Sequence, residues 1–191
     1  MKLLITLLTT LIFMSVAIPA AEEISKDCIN KNVPDNERAF SNTFSGTFNG
    51  KRLEYRASLK EKLLYEKDNP SAPMASFFYT EYIVESDKNR PVIFSFNGGP
   101  GSASLWLHMG VLGPKVIKVP SDASDDGSAP YKIVDNKLSP LSDADLVFID
   151  PIGTGYSRAV GCHEPEEFWG VSEDPKIIAE FIRRWINDNK R

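Results

Sequence analysis

Apolar residues along this chain fall into three successive patterns. The first is unbroken: after Lys2 comes "LLITLLTTLIFMSVAI", which "PAAEE" closes with small residues and acids. A basic start, an apolar stretch and a small-residue exit predict an export signal over residues 1–20, favoured over a membrane anchor by the small exit and acidic flank. The second pattern is short and β-rich. After a polar segment, 21–42, expected to be an irregular mature N-terminus, "GTFNG", "KRLEYRASL", "KLLYE" and "ASFFYTEYIVE" mix aromatic and β-branched residues between turn signals. In the third, "PVIFSF" and "DLVFID" are apolar on nearly every position, as strands buried on both faces are.

Each of those two runs leads into a bend and then a helix. After "PVIFSF" comes "NGGPG", then a helix capped by Ser102 and stopped by Gly113 and Pro114. After "DLVFID" come "PIGTGYS", a polar insert, and a helix opened by Asp174 and Pro175. Ile177, Ile178, Phe181, Ile182, Trp185 and Ile186 share one face of that helix, opposite Lys176, Glu180, Arg183 and Arg184. Strand, bend, helix, repeated, is the grammar of a parallel α/β sheet, in which each helix returns the chain to a further strand. This chain reaches Asn189-Lys190-Arg191 directly after a helix, so the pattern predicts the front part of a longer fold.

Charge narrows the partners. The formal net charge is −4, and about −5 without Lys2, which speaks against nucleic acid and anionic membranes as partners. In "KRLEYRASLKEKLLYEK" glutamates interleave the basic residues, so it reads as a solvated strand face. Cys28 and Cys162 lie in no C-x-x-C, and with two histidines there is no zinc spacing; export permits a disulfide, but spacing does not pair them. "PSDASDDGSAP" lacks the calcium-loop register and its closing Glu, so no metal is expected there, and no cofactor anywhere.

The chemistry concentrates at Asn97-Gly98-Gly99-Pro100-Gly101. Consecutive glycines let backbone N–H groups approach a ligand closely, and a helix start adds positive potential. The bend therefore suits a phosphate, a carboxylate or a developing oxyanion. No lysine follows to make a phosphate loop, and Ser104 breaks the G-x-G-x-x-G register. Pro100 removes one N–H, which favours a small target over a wrapped pyrophosphate. A tight turn with no ligand is the plain alternative.

"NGGPGSASLWLHMGVLGP" resembles the NGGPG segment of the serine carboxypeptidase family, a branch of the α/β-hydrolases, and "DADLVFIDPIGTGYSR" resembles that family's next signature. With the final helix "EDPKIIAEFIRRWI" the resemblance covers 43–191. It implies an α/β-hydrolase fold with a mixed, mostly parallel sheet, reaching residue 191 before the nucleophile elbow. It further implies that the Gly99 N–H donates to the oxyanion, and that Asn97 and Gly98 hold the free C-terminal carboxylate of a peptide substrate. Val111 replaces the glutamate that shares a proton with that carboxylate in eukaryotic members, Ser102 replaces a disulfide cysteine, and Trp106 and Gly110 differ around the leaving-residue pocket. These departures, and the absence of an N-x-S/T sequon, suggest a bacterial sub-branch exported to the periplasm or beyond.

The catalytic triad is missing. This fold needs G-x-S-x-G, then Asp, then His, and no G-x-S-x-G occurs. Ser102 and His108 lie six apart on one helix and point to opposite faces, and Asp150 precedes any elbow. Ser, Asp and His are therefore expected beyond Arg191. The alternative is a non-catalytic remnant or half-domain that pairs with a separate chain.

Overall fold

The structure is a computed structural model that describes residues 28, 31–85, 89–98, 101–119, 122, 124 and 129–191. The segment read as an export signal and Gly99 lie outside the described residues. Two hairpins build the front of the sheet. β1 (Ala39–Phe48) begins ahead of the expected start near residue 43 and turns through Asn49 and Gly50 into β2 (Lys51–Tyr65). Both turn residues have positive φ, 47° and 80°, the conformation a two-residue type I′ hairpin demands. β2 is one strand where two were expected, and it pairs antiparallel with β3 (Pro73–Ile83), with an irregularity at Leu64/Tyr65.

β4 (Val92–Ser95) leads to the short helix α1 (Leu105–Leu107), which runs on into a π-helical turn, His108–Leu112. A separate hairpin, β5 (Lys115–Lys118) and β6 (Lys132–Asp135), precedes β7 (Asp145–Ile149), the two-residue β8 (Arg158–Ala159) and the long helix α2 (Glu173–Asn189). The sheet order is β1-β2-β3-β7-β4, with β8 also on β3. Among the described residues the sheet is mostly antiparallel, and β4 with β7 is its one parallel pair. The expectation of a mostly parallel sheet is thus corrected. Parallel pairing needs a crossover, and one crossover joins β4 to β7, while β1, β2 and β3 follow one another as hairpins and β3 pairs antiparallel with β7 and β8. β4, expected mid-sheet, is the last strand described on its side and is only partly buried.

The sheet buries different residues on its two faces, as the alternation of side chains requires. On one, α2 lays Ile177, Ile178, Phe181 and Trp185 on Leu64, Phe77, Tyr79, Val147 and Ile149. Phe181 is fully buried, its ring 5.3 Å from that of Phe77 and 5.0 Å from that of Tyr79. Glu81 lies under the same helix with no exposed surface; it accepts from the Trp185 indole at 3.0 Å and pairs with Lys60 at 2.6 Å. On the other face Tyr55, Tyr82, Leu146 and Phe148 pack with Phe48 and Leu141, and Leu107 and Leu112 of the helical turn cover them. Each large apolar side chain buried this way is worth about 1.5–3 kcal/mol. Cys28 and Cys162 are disulfide-bonded, with Cα atoms 4.8 Å apart. No described helix is long and apolar enough to cross a membrane.

Candidate functional site

β4 delivers the glycine bend, and β7 holds both of its ends. On the entry side β4 is in parallel register with β7, Ser95 beside Phe148. On the return side the Ser104 N–H donates to Asp150 Oδ1 at 2.8 Å, and the Ser104 hydroxyl donates to the Ile149 carbonyl. Asp150 follows β7 directly, so the loop leaves and rejoins the same strand end. Gly101, at φ +102°, supplies a backbone conformation that other residues rarely adopt.

Inside the bend Asn97 Nδ2 donates to Ser102 Oγ at 3.3 Å, while Asn97 Oδ1 is buried without a partner. A hydroxyl both donates and accepts, so the amide can offer Ser102 either end and turn the other to the uncommitted position. Ser102 therefore braces Asn97 and does not cap the helix as expected. The helix starts later, at Leu105, and ends in a π-turn with Gly113 extended. Phe96, Leu105, Trp106 and Val111 leave apolar surface exposed on this stretch. A groove of about 860 Å³ lies elsewhere, between the β2–β3 turn and α2, and no bend residue lines it.

The three residues from which a local triad could be imagined have other partners. Ser102 holds Asn97, and Asp150 holds the Ser104 N–H. His108 Nε2 meets the Tyr82 hydroxyl at 2.5 Å, and its ring stacks on Phe148 at 4.6 Å between centroids. Burial pushes the His108 pKa down to about 4 and the Tyr82 pKa up, so neutral His108 accepts from protonated Tyr82. Burial also raises the Asp150 carboxyl above its usual range, against the opposing hydrogen bond from Ser104. Gly155, at φ +52°, passes so close that a side chain there would strike the Asp150 carboxylate.

Sequence reasoning places Asn97 and Gly98 at the bend, where the structure has them. It misses Tyr82, the clamping role of Ser104 and Asp150, and a second histidine cluster. His163 bonds Glu167 at 2.8 Å through Nδ1 and Glu66 at 2.9 Å through Nε2. A capping-box pattern at Glu164 and Glu167 marks that turn in the sequence, but nothing there points to Glu66.

The sequence profile of the family described as "Serine carboxypeptidase" matches residues 59–190. Among curated relatives, Serine carboxypeptidase-like 9 of Arabidopsis thaliana is 33% identical over 114 residues, covering 58% of this chain and 24% of the relative. Serine carboxypeptidase-like 2 and 11 of the same plant are each 30% identical, over 115 and 112 residues, covering 57% and 56% of this chain and 24% of each relative. The chain thus spans about a quarter of the length of the curated relatives it matches. The family match over 59–190 includes β4, the glycine bend, β7 and all of α2, and on that extent of match the chain belongs to the serine carboxypeptidase family.

Proposed function

We propose that this chain supplies the part of an exported serine-type carboxypeptidase that reads the C-terminal end of a peptide substrate. Asn97 and Gly98 hold the free carboxylate, and the Gly99 N–H donates to the oxyanion of the tetrahedral intermediate. One observation carries the reading. Asn97, in a bend fixed at both ends by β7, keeps a buried amide oxygen without a partner, so one end of the amide is uncommitted. A donor fixed in advance for an oxyanion lowers the barrier by about 3 kcal/mol in comparable sites.

With Ser102, His108 and Asp150 committed elsewhere, these residues alone do not hydrolyse peptides. The nucleophile arrives on a further strand. A helix following β7 leads back to a parallel strand, and the outer edge of β4, unpaired among the described residues, lies beside the bend. Val111 cannot share a proton with the carboxylate, so turnover lacks the acid preference of glutamate-bearing relatives. Val111 and Ser102 together support a bacterial sub-branch, and the apolar leader supports export to the periplasm or the medium.

The test is the ratio of free-acid to amide peptide turnover by the assembled enzyme. A hydrogen bond to a charged group is worth about 1.5–3 kcal/mol, so Asn97→Ala raises KM for free acids roughly 10-fold or more and leaves amides nearly unaffected. An unchanged ratio removes the carboxylate role and leaves only that of Gly99.

A further inference from the structure

β1 is the outermost strand of the sheet, and its outer edge pairs with no other strand among the described residues. Folded proteins usually blunt such an edge with charge, proline or brevity. β1 has 10 residues, "AFSNTFSGTF", and none is charged or proline. The strand is also symmetric about Phe44. Thr43 matches Ser45, Ser41 matches Thr47, and Phe40 matches Phe48, with Asn42 set against Gly46. An antiparallel strand that pairs with its own copy about a two-fold axis brings those same residues opposite one another.

We propose that the outer edge of β1 is a self-association surface, on which two copies of this chain pair β1 to β1, antiparallel and centred on Phe44. The hydrogen-bond phase agrees with the sequence symmetry. A two-residue turn makes Phe48 and Lys51 a hydrogen-bonded pair, so even-numbered residues of β1 spend their backbone groups on β2. Odd-numbered residues aim theirs outward. The Phe44-centred register pairs odd with odd, Thr43 with Ser45 and Ser41 with Thr47, for a ladder of about eight bonds.

Phe44 then meets its counterpart at a non-hydrogen-bonded position, where side chains come closest. Phe44 is 46% exposed and Phe40 67%, on the same sheet face as Leu59 at 37%. The Phe48 ring folds back over Gly46 into its own core, which leaves Phe40 and Phe44 as the aromatic surface on offer. The opposite face presents Ser and Thr hydroxyls to one another. Flanking charges are already neutralised, Arg38 by Glu61 and Lys51 by Asp143.

The experiment uses the full chain and two cysteine variants. At a Phe44-centred two-fold, Cα atoms of about 4.5 Å separation fall within disulfide reach, whereas Ser41 lies about 20 Å from its own copy. Phe44→Cys is expected to form a covalent dimer at least about tenfold faster than Ser41→Cys under mild oxidation. Sedimentation of the unmodified chain should show a dimer that Thr43→Lys weakens roughly tenfold or more, because the two lysines approach across the axis. Equal cross-linking at the two positions, a monomer at about 100 µM, or indifference to Thr43→Lys overturns the proposal.

Discussion

Burial drives His108 and Asp150, which pack beside the helix after the bend, towards their uncharged forms. For His108 the folded pKa, about 4, lies below the unfolded value of about 6.5, so its neutral form stabilises the fold above that value. That contribution is lost as pH falls from about 6.5 to about 4, and amounts to roughly 2–4 kcal/mol. His163 behaves in the opposite sense. Burial works against its charge, but the hydrogen bonds to Glu167 and Glu66 outweigh it and raise its pKa. Its contribution is whole below about 6.5 and disappears as pH rises through the folded value. Thermal unfolding across pH should therefore peak near about 6.5. His108→Gln is expected to flatten the acid limb and His163→Gln the alkaline limb. Asp150, raised by burial, opposes His108 on the acid side, so the difference between wild type and His108→Gln is the quantity to read. Sequence alone marks where the bend lies, at Asn97 and Gly98 after β4, because a glycine-rich junction after an apolar run constrains its own neighbourhood. It does not reach Ser104 with Asp150, or His163 with Glu66, because these pairs are 46 and 97 positions apart and no local spacing encodes them.

Among the elements, α2 was the most legible, since its apolar face repeats with helical period and the sheet below needs such a cover. Phe181→Ala removes a ring held between Phe77 and Tyr79 and should cost about 3–5 kcal/mol, measured by denaturant unfolding. The helix after the bend was legible only in part. The Ser104 hydroxyl is spent on β7 and forms no side-chain cap, and the turn then widens at His108–Leu112 to bring His108 onto Tyr82 and Phe148. β2 reads as two strands because Lys60 and Glu61 separate "KRLEYRASL" from "KLLYE". In the fold Glu61 is nearly buried and accepts from Arg38 and Ser76, while Lys60 and Lys62 pair with Glu81 and Asp188. Charges satisfied across strands do not end a strand.

For the molecule as a whole, antiparallel pairing outweighs the parallel grammar read from the sequence, and β7 is the strand where the two meet, antiparallel to β3 and parallel to β4. Because both ends of the glycine bend are fastened to that one strand, β7 works as a handle. A disturbance beneath it carries Asn97 and Gly98 along together, so their mutual spacing survives while their position against any group outside the bend changes. Val147, buried under α2, is the place to apply such a disturbance. In the assembled enzyme Val147→Ala should leave the preference for free-acid over amide peptides intact and lower kcat, the reverse of what Asn97→Ala does to KM. Recognition of the substrate's end and alignment for its cleavage would then be separable by mutation, since one depends on the shape of the bend and the other on where β7 carries it.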